Sequence, residues 1–527
     1  MVSLLNRSKF VVCWLAKRGK KFRALQGSKK PISYEERIEM CRAQGKRTIL
    51  VFTGRTDRTK MQELEEELRM VAGVGPSYVH SFQSDSFLVE LPTRRAVDHL
   101  VMNGAQYFED MEECGVPCRN RHFYLKSKRN KWVQSPERRG MQDKETVLSH
   151  LDEKLRTESS ISAQMLQLHR LLRQSECATR LRFFLASYIE ELFSGAFPML
   201  NCRPFGSSVN GLGTDFSDLD LSLALDEPIE RSGSSPFLYR IKKRVDDDRA
   251  FAQKALRVVG DFLSTFAPSI RDTQSILRAR VPIVRFVHSD SMIQCDLSMY
   301  NKSGVPMSKL VWLYGELEPR FPPLVFSLRV WAARLDVVCD SSTGNGNFTN
   351  FILLTLVIFF LQSSRPSLLP SISQMRDLTD SFNFPSAATS PTEQNDASLE
   401  DLLAEFFEFY STFDFSRWAL DLERGECVEK PDDFPLYIFN ALELEHNIGK
   451  IVHKEALRRF VAACQGGIWL MTHKHADMTG DGGLLRLLSP TYYTLKQKDQ
   501  ALSFQVNNVL QAENDAYRER TVDKQVE

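Results

Sequence analysis

FGSSVNGLGTDFSDLDLSLAL, residues 205–225, joins a glycine-serine turn to a run that carries two acids. From Asp218 onward apolar and polar residues alternate with the period of a β-strand. Asp218 and Asp220 therefore share one face, and Leu219, Leu221 and Leu223 the other. Two carboxylates so close on one face repel each other, an arrangement tolerated where a divalent cation neutralises them. Eleven residues before Asp218 stands Ser207, preceded by Phe205 and Gly206. Glycine lets the backbone come close to a phosphate, and a serine can donate a hydrogen bond to it. The bland alternative is a solvent-facing acidic edge strand behind a loop.

A third acid argues against that alternative. Asp296 lies in MIQCDLSMY, another alternating run, and a strand over Ile293 to Leu297 would lay it beside the first two acids. Three carboxylates can hold two divalent cations roughly 4 Å apart, which suits the attacking and leaving oxygens of an in-line displacement at phosphorus. Phosphoryl transfer needs this charge neutralisation and positioning more than covalent chemistry.

Upstream, Arg47–Gly54 reads as a strand, Lys60–Ala72 as an amphipathic helix, Tyr78–Phe82 and Ser86–Leu91 as strands, Arg95–Met102 as a helix and Gln106–Met111 as a last strand. That order, βαββαβ, is the ferredoxin-like arrangement of RNA-recognition modules, and it bounds a domain at 41–118. The usual aromatic third-strand motif is absent, so Phe52 and Phe87 face RNA only if they do not fill a core or a dimer interface. Residues 119–140 read as a basic linker. Arg121, Lys126, Lys128 and Arg129 stand among His122, Phe123, Tyr124 and Trp132, which suits single-stranded RNA or simply a solvated charge run. Helical spacing then leads into the acid-bearing strands (141–310) and resumes over 311–488. It is interrupted near 365–397 by a loop insertion rich in Ser, Pro and Thr. Residues 489–527 read as a polar, peripheral tail.

The chain has 527 residues, 43% hydrophobic and 26% charged, with a formal net charge of +1, so nucleic-acid contact has to come from local basic tracks. Ten cysteines are scattered without zinc-finger spacing, which reads as reduced thiols in a non-secretory compartment and makes a structural zinc unexpected. Residues 1–40 open on a stretch without acids from Met1 to Tyr34, rich in Lys and Arg with apolar residues between them. That composition fits a mitochondrial transit peptide, or a basic tail with no address. The longest apolar run, Phe351–Leu361, falls short of the roughly 20 residues that span a bilayer, so no membrane insertion is expected.

The signature from Phe205 to Leu221, with its partner acid Asp296, resembles that of DNA-polymerase-β-type nucleotidyltransferases. RPFGSSVNGLG, ILRARVPIVRF, QCDLSMYN, LRVWAARLD, FTNF and PLYIFNALELEHNIGK further resemble the mitochondrial poly(A) polymerases, from about Arg47 to Met471. The resemblance implies an α+β chain: a mixed-sheet palm with a helical poly(A)-polymerase-associated domain, preceded by an RNA-recognition-like domain that also serves homodimerisation. It implies template-independent extension of single-stranded RNA 3′ ends in the mitochondrial matrix, from ATP with two Mg2+ or Mn2+ ions. Asp218, Asp220 and Asp296 would be the catalytic metal ligands. Phe205, Gly206, Ser207, Gly304, Ser308, Arg329, Asn350, Phe351 and His446 would contact the nucleoside triphosphate. Relatives often carry a second basic residue four positions after the one matched by Arg329. Ala333 stands there, with Arg334 adjacent. Phe351 would stack on a base, or serve as a core aromatic opening the buried helix. His446 resembles a base-selecting histidine of uridylyltransferases, whereas Met307 replaces an asparagine common in those enzymes. ATP is favoured and UTP stays open. The competing readings are a terminal uridylyltransferase, an inactive RNA-binding scaffold, and a transferase acting on small molecules.

Overall fold

The computed structural model describes residues 32–493, apart from 55, 82–84, 105–119, 126–143, 196, 198–199, 226–246, 339–346, 377–394, 444–445 and 473–481. The leader, most of the basic stretch and the end of the tail thus lie outside the described residues.

Helix α1 (Tyr34–Lys46) begins with a capping box: the Ser33 hydroxyl accepts from Glu36 N–H, and the Glu36 carboxylate accepts from Ser33 N–H. There follow β1 (Thr48–Phe52), α2 (Arg58–Ala72), β2 (Tyr78–Ser81), β3 (Ser86–Glu90) and α3 (Arg94–Asn103), in the order the periodicity predicts. The strand expected at Gln106–Met111 falls outside the described residues. The sheet's fourth strand is β4 (His122–Tyr124), drawn from the segment expected to be linker. Strand order is β2-β3-β1-β4, but β4 runs parallel to β1, with Leu50 opposite His122. Two interleaved βαβ crossovers would bring it back antiparallel. The sheet is therefore ferredoxin-like in order and not in direction at this edge.

Strands β1 and β3 are buried on both faces. Ile49, Val51, Phe87 and Val89 pack on α2 and α3, while Leu50, Phe52 and Leu88 pack against a helix of the next unit. Phe52 and Phe87 are core residues. The face on which RNA-recognition modules stack bases is closed by the palm.

Arg121 corrects a second expectation. It is 1% exposed and cannot reach RNA. Its guanidinium donates to Gly45 O (2.6 Å), Thr48 O (2.9 Å) and Ser187 Oγ (2.5 Å), and pairs with Glu191 at 2.6 Å. Burial pushes its pKa down to about 10, yet it stays charged at neutral pH. Removing one member of such a pair strands the other. Arg121→Ala is expected to cost about 3–5 kcal/mol of stability, read from the urea midpoint. A loss below about 1 kcal/mol would mean Glu191 is solvated without it.

Helices α4 (Lys144–Arg156), α5 (Ile161–Leu172) and α6 (Glu176–Phe193) lead into the palm. The palm comprises β5 (Leu200–Phe205), β6 (Leu219–Leu225), α7 (Asp248–Phe266), β7 (Ile270–Ile276), β8 (Ile283–His288) and β9 (Gln294–Met299). Its mixed sheet has the order β5-β6-β9-β8-β7, in which only β6 and β9 are parallel. Leu219, Leu221, Leu223, Val284, Phe286, Cys295 and Leu297 form its apolar face, covered by α6 and α7. The opposite face is left for chemistry.

The rest is largely helical: α8 (Gly304–Leu317), α9 (Phe321–Arg334), α10 (Asn350–Ser363), α11 (Ile372–Met375), α12 (Leu399–Thr412), α13 (Lys454–Thr472) and α14 (Leu484–Leu488). A small sheet accompanies them, of β10 (Trp418–Asp421), β11 (Glu426–Glu429) and β12 (Ile438–Phe439). Every residue of α10 from Ile352 to Gln362 is buried, as an apolar run broken only by Thr355 up to Leu361 requires. No described helix is long and apolar enough to cross a membrane. The segment expected as a loop insertion contains α11. The tail is not wholly peripheral either: Tyr493 accepts a hydrogen bond from the Trp331 indole at 2.8 Å.

Candidate active site

Parallel pairing of β6 with β9 sets Asp220 directly opposite Asp296, and antiparallel pairing of β9 with β8 sets Arg285 opposite Asp296. Asp218, just ahead of β6, is exposed at the mouth and accepts from Gln294 Nε2 at 3.1 Å. The three acids of the two separate runs therefore share the open face of one sheet.

Their electrostatics follow from that crowding. Burial, then the charges of Asp296 and Asp218, push the Asp220 carboxyl up to about 7, and Arg285 only partly offsets them. Arg285 grips Asp296 in a two-pronged pair, Nε to Oδ1 at 2.8 Å and a terminal nitrogen to Oδ2 at 2.7 Å. A carboxylate held by a guanidinium beside one that resists ionisation is a site short of positive charge. The donor set is all oxygen, which suits magnesium or manganese.

Sequence reasoning singled out neither Arg285 nor Gln294. The signal was present in IVRFVH, where Arg285 breaks an apolar run on the face opposite Val284 and Phe286. Its partner could be named only once the register was known.

The glycine-serine turn sits against these acids. Gly206 has φ of 68°, and a Cβ there would collide with the Asp220 carboxylate. Gly206 N–H donates to Ser308 Oγ at 2.7 Å, and that hydroxyl donates to Gly304 O at 2.6 Å. Ser308 is 2% exposed and supports the turn from beneath. Gly304 packs against the Phe205 ring with no room for a side chain. Ser207 is the middle residue of the one-turn helix Gly206–Ser208 and remains partly exposed.

Arg329, on α9, donates to Leu212 O at 2.7 Å, tying that helix to the loop between turn and strand. Burial lowers its pKa to about 10, and its Nε is buried without a hydrogen-bond partner. Arg334, beside Ala333, pairs with Asp152 on α4 at 2.6 Å. Asn350 and Phe351 are both exposed, Phe351 by 42%, although the eleven residues that follow are buried. The core reading of Phe351 is thereby excluded. His446 is half-buried, and its pKa is lowered by burial and then by Arg280. Arg280, on the palm, pairs with Glu443, which brings the His446 loop to the palm. Lys126, Lys128 and Arg129 lie outside the described residues.

Residues 161–316 match the central palm domain of the family "Poly(A) RNA polymerase, mitochondrial-like". Over 501 residues the chain is 33% identical to mitochondrial poly(A) RNA polymerase of Homo sapiens, spanning 89% of this chain and 84% of the human one. A crystal structure of mtPAP in complex with ATPγS superposes with a TM-score of 0.75 at 28% identity, over 87% of this chain and 99% of that one. The mtPAP complex with UTP superposes at 0.76, with the same identity and coverage.

Proposed function

The chain belongs to the mitochondrial poly(A) RNA polymerase family and is a template-independent RNA nucleotidyltransferase, and from that premise we propose that it adds adenylate from ATP to the 3′ ends of mitochondrial RNA. The observation that carries the chemistry is the cross-strand set of Asp220 opposite Asp296, with Asp218 at its mouth.

Asp218, Asp220 and Asp296 would hold the divalent cations, Mg2+ or Mn2+. When bound, these ions supply charge neutralisation to the triphosphate and the 3′ oxygen. The chain's own groups do the positioning. Arg285 fixes the orientation of Asp296 through two bonds. The turn at Gly206 and Ser207 presents backbone and hydroxyl donors to phosphate. Arg329 contributes positive charge behind the loop. Phe351 offers an exposed ring on which any base stacks, with Asn350 beside it for the sugar.

The leader composition and the mitochondrial relatives support delivery to the matrix. Lys126, Lys128 and Arg129 are proposed RNA contacts. With the sheet face closed by the palm, edge strand β2, whose residues are partly or fully exposed, offers the N-terminal sheet a route for homodimerisation. We read that unit as an RNA-recognition-like domain turned to a structural use.

Stacking cannot choose a base, so the choice falls to side chains in the cleft. The mtPAP complexes with ATPγS and with UTP indicate that occupancy alone does not discriminate. His446, whose pKa is lowered by burial and then by Arg280, is the candidate that favours a uridylyltransferase reading. Purified protein offered a short labelled RNA and each nucleoside triphosphate separately is expected to extend it best with ATP. His446→Ala is expected to change the ATP to UTP ratio less than about tenfold, a shift of some 1.4 kcal/mol. A strong UTP preference, lost in His446→Ala, would replace adenylation by uridylation. No extension with any nucleotide, with either ion, would favour the inactive scaffold.

A further inference from the structure

Away from the catalytic acids, a second cluster of metal-ligating side chains joins two segments far apart in sequence. His122 opens β4 of the N-terminal unit, His288 ends β8 of the palm, and Asp290 lies in the turn after it. Both imidazoles are buried, and the Asp290 side chain is 18% exposed. The two Nε2 atoms are 2.9 Å apart, and Asp290 Oδ2 lies 3.7 Å from one and 3.8 Å from the other. A circle through three atoms at those separations has a radius of about 2.0 Å, so a cation slightly above their plane stays within about 0.2 Å of zinc's bond lengths to imidazole nitrogen and carboxylate oxygen and keeps a fourth position.

The outer nitrogen of His122 is held as a metal would need it, and that of His288 can be. His122 Nδ1 faces Asn120 Oδ1, and the His122 backbone N–H donates to that same oxygen at 3.1 Å, which fixes the amide as the acceptor. His288 Nδ1 lies 2.8 Å from Ser291 Oγ. With a proton on each Nδ1, both Nε2 atoms carry lone pairs that face each other. Two lone pairs at that range repel unless a cation, set off the line between them on the Asp290 side, draws on both. Burial keeps both rings neutral, so a shared proton is a poor candidate for that cation. One other arrangement needs no ion. Ser291 N–H, 3.2 Å from His288 Nδ1, can donate there, leaving His288 to donate from Nε2 to His122.

We propose that His122, His288 and Asp290 form a zinc site that clamps β4 onto the palm, with the fourth position open to water beside Asp290. Two imidazoles and one carboxylate suit zinc, and set this site apart from the all-oxygen catalytic acids. The clamp grips the end of β8, three residues beyond the arginine that holds Asp296. It thus braces the strand pair carrying the third catalytic acid.

The test uses the full chain carrying Asp220→Asn, so that the catalytic acids compete less for the probe. After stripping with chelator, reloading with Zn2+ and desalting, about one zinc per chain is expected, with a raised melting temperature. Co2+ in place of Zn2+ should give the visible absorption of a tetrahedral nitrogen-oxygen site. His288→Gln and Asp290→Asn should each weaken zinc binding at least ~100-fold. Asp290→Asn keeps size and shape at a partly exposed turn, so it decides the matter should the histidine variant fail to fold. No retained zinc and no Co2+ spectrum in the parent chain would overturn the proposal in favour of the imidazole hydrogen bond. Equal zinc in parent and Asp290→Asn would overturn it too.

Discussion

Asp220→Asn is expected to lower RNA 3′ extension about a thousandfold or more while leaving the fold intact. The size follows from the charge that the site gathers. Transition-state stabilisation by a bound metal amounts to several kcal/mol, and each 1.4 kcal/mol is about tenfold in rate. Asparagine keeps the shape of the side chain but not the anionic ligand that faces Asp296 across the strand pair. The same substitution also tests the electrostatics. The Asp220 carboxyl titrates at about 7 in the folded, metal-free chain, against 3.8 for a free aspartate. Its folded pKa is thus raised. The stability associated with its proton is fully present below 3.8 and is lost as pH climbs to about 7. Metal-free protein should therefore lose stability across that window, and Asp220→Asn should flatten the loss. Proton and metal compete for the same oxygens, so the apparent Mg2+ or Mn2+ affinity of the parent should rise through neutral pH. An Asp220→Asn enzyme that still tails RNA at a tenth of the parental rate would remove Asp220 from the metal set.

What sequence could and could not reveal divides along physical lines. Period-two alternation placed Asp218, Asp220 and Asp296 on strand faces, because a pleated backbone enforces it whatever the tertiary context. The buried run after Phe351 was equally plain. Alternation does not give register, so the partnership of Arg285 with Asp296 stayed hidden although both runs were visible. Nor does charge reveal burial. Arg121 belonged to a basic track, and only the surrounding carbonyls of Gly45 and Thr48 and the Glu191 carboxylate make it an internal strut. The three residues of β4 are too short a strand for any periodicity, and β4's parallel course depends on contacts made far away in the chain. Ser308 shows the same limit at the scale of one hydroxyl: the resemblance put it near the nucleotide, and burial beneath Gly206 makes it a support. His122 and His288 stand 166 residues apart, a separation that no spacing rule for metal ligands covers.

Gly206→Ala is expected to cost about a hundredfold in kcat, with a stability loss of roughly 1–2 kcal/mol, although the added group is a single methyl. Two separate constraints meet at this position. The left-handed backbone, φ 68°, is one that glycine adopts freely and that costs an L-residue roughly 1–2 kcal/mol. The new Cβ would also fall well inside contact distance of Asp220 Oδ2, so that carboxylate has to rotate or the turn has to lift. Lifting the turn would strain the bond from Gly206 N–H to Ser308 Oγ, which in turn rests on Gly304 O at the start of the following helix. Rotating the carboxylate takes a metal ligand out of line, and a displacement of about 1 Å at a reacting centre is enough for a hundredfold loss. The two escapes are distinguishable. A displaced ligand raises the metal concentration needed for half-maximal rate, and excess Mn2+ recovers part of the activity. A lifted turn raises KM for the nucleotide instead and does not respond to metal. Alanine at this position with parental kcat and KM would mean that the turn does not sit against the acid during catalysis, and the phosphate-cradle role of Gly206 and Ser207 would have to be abandoned.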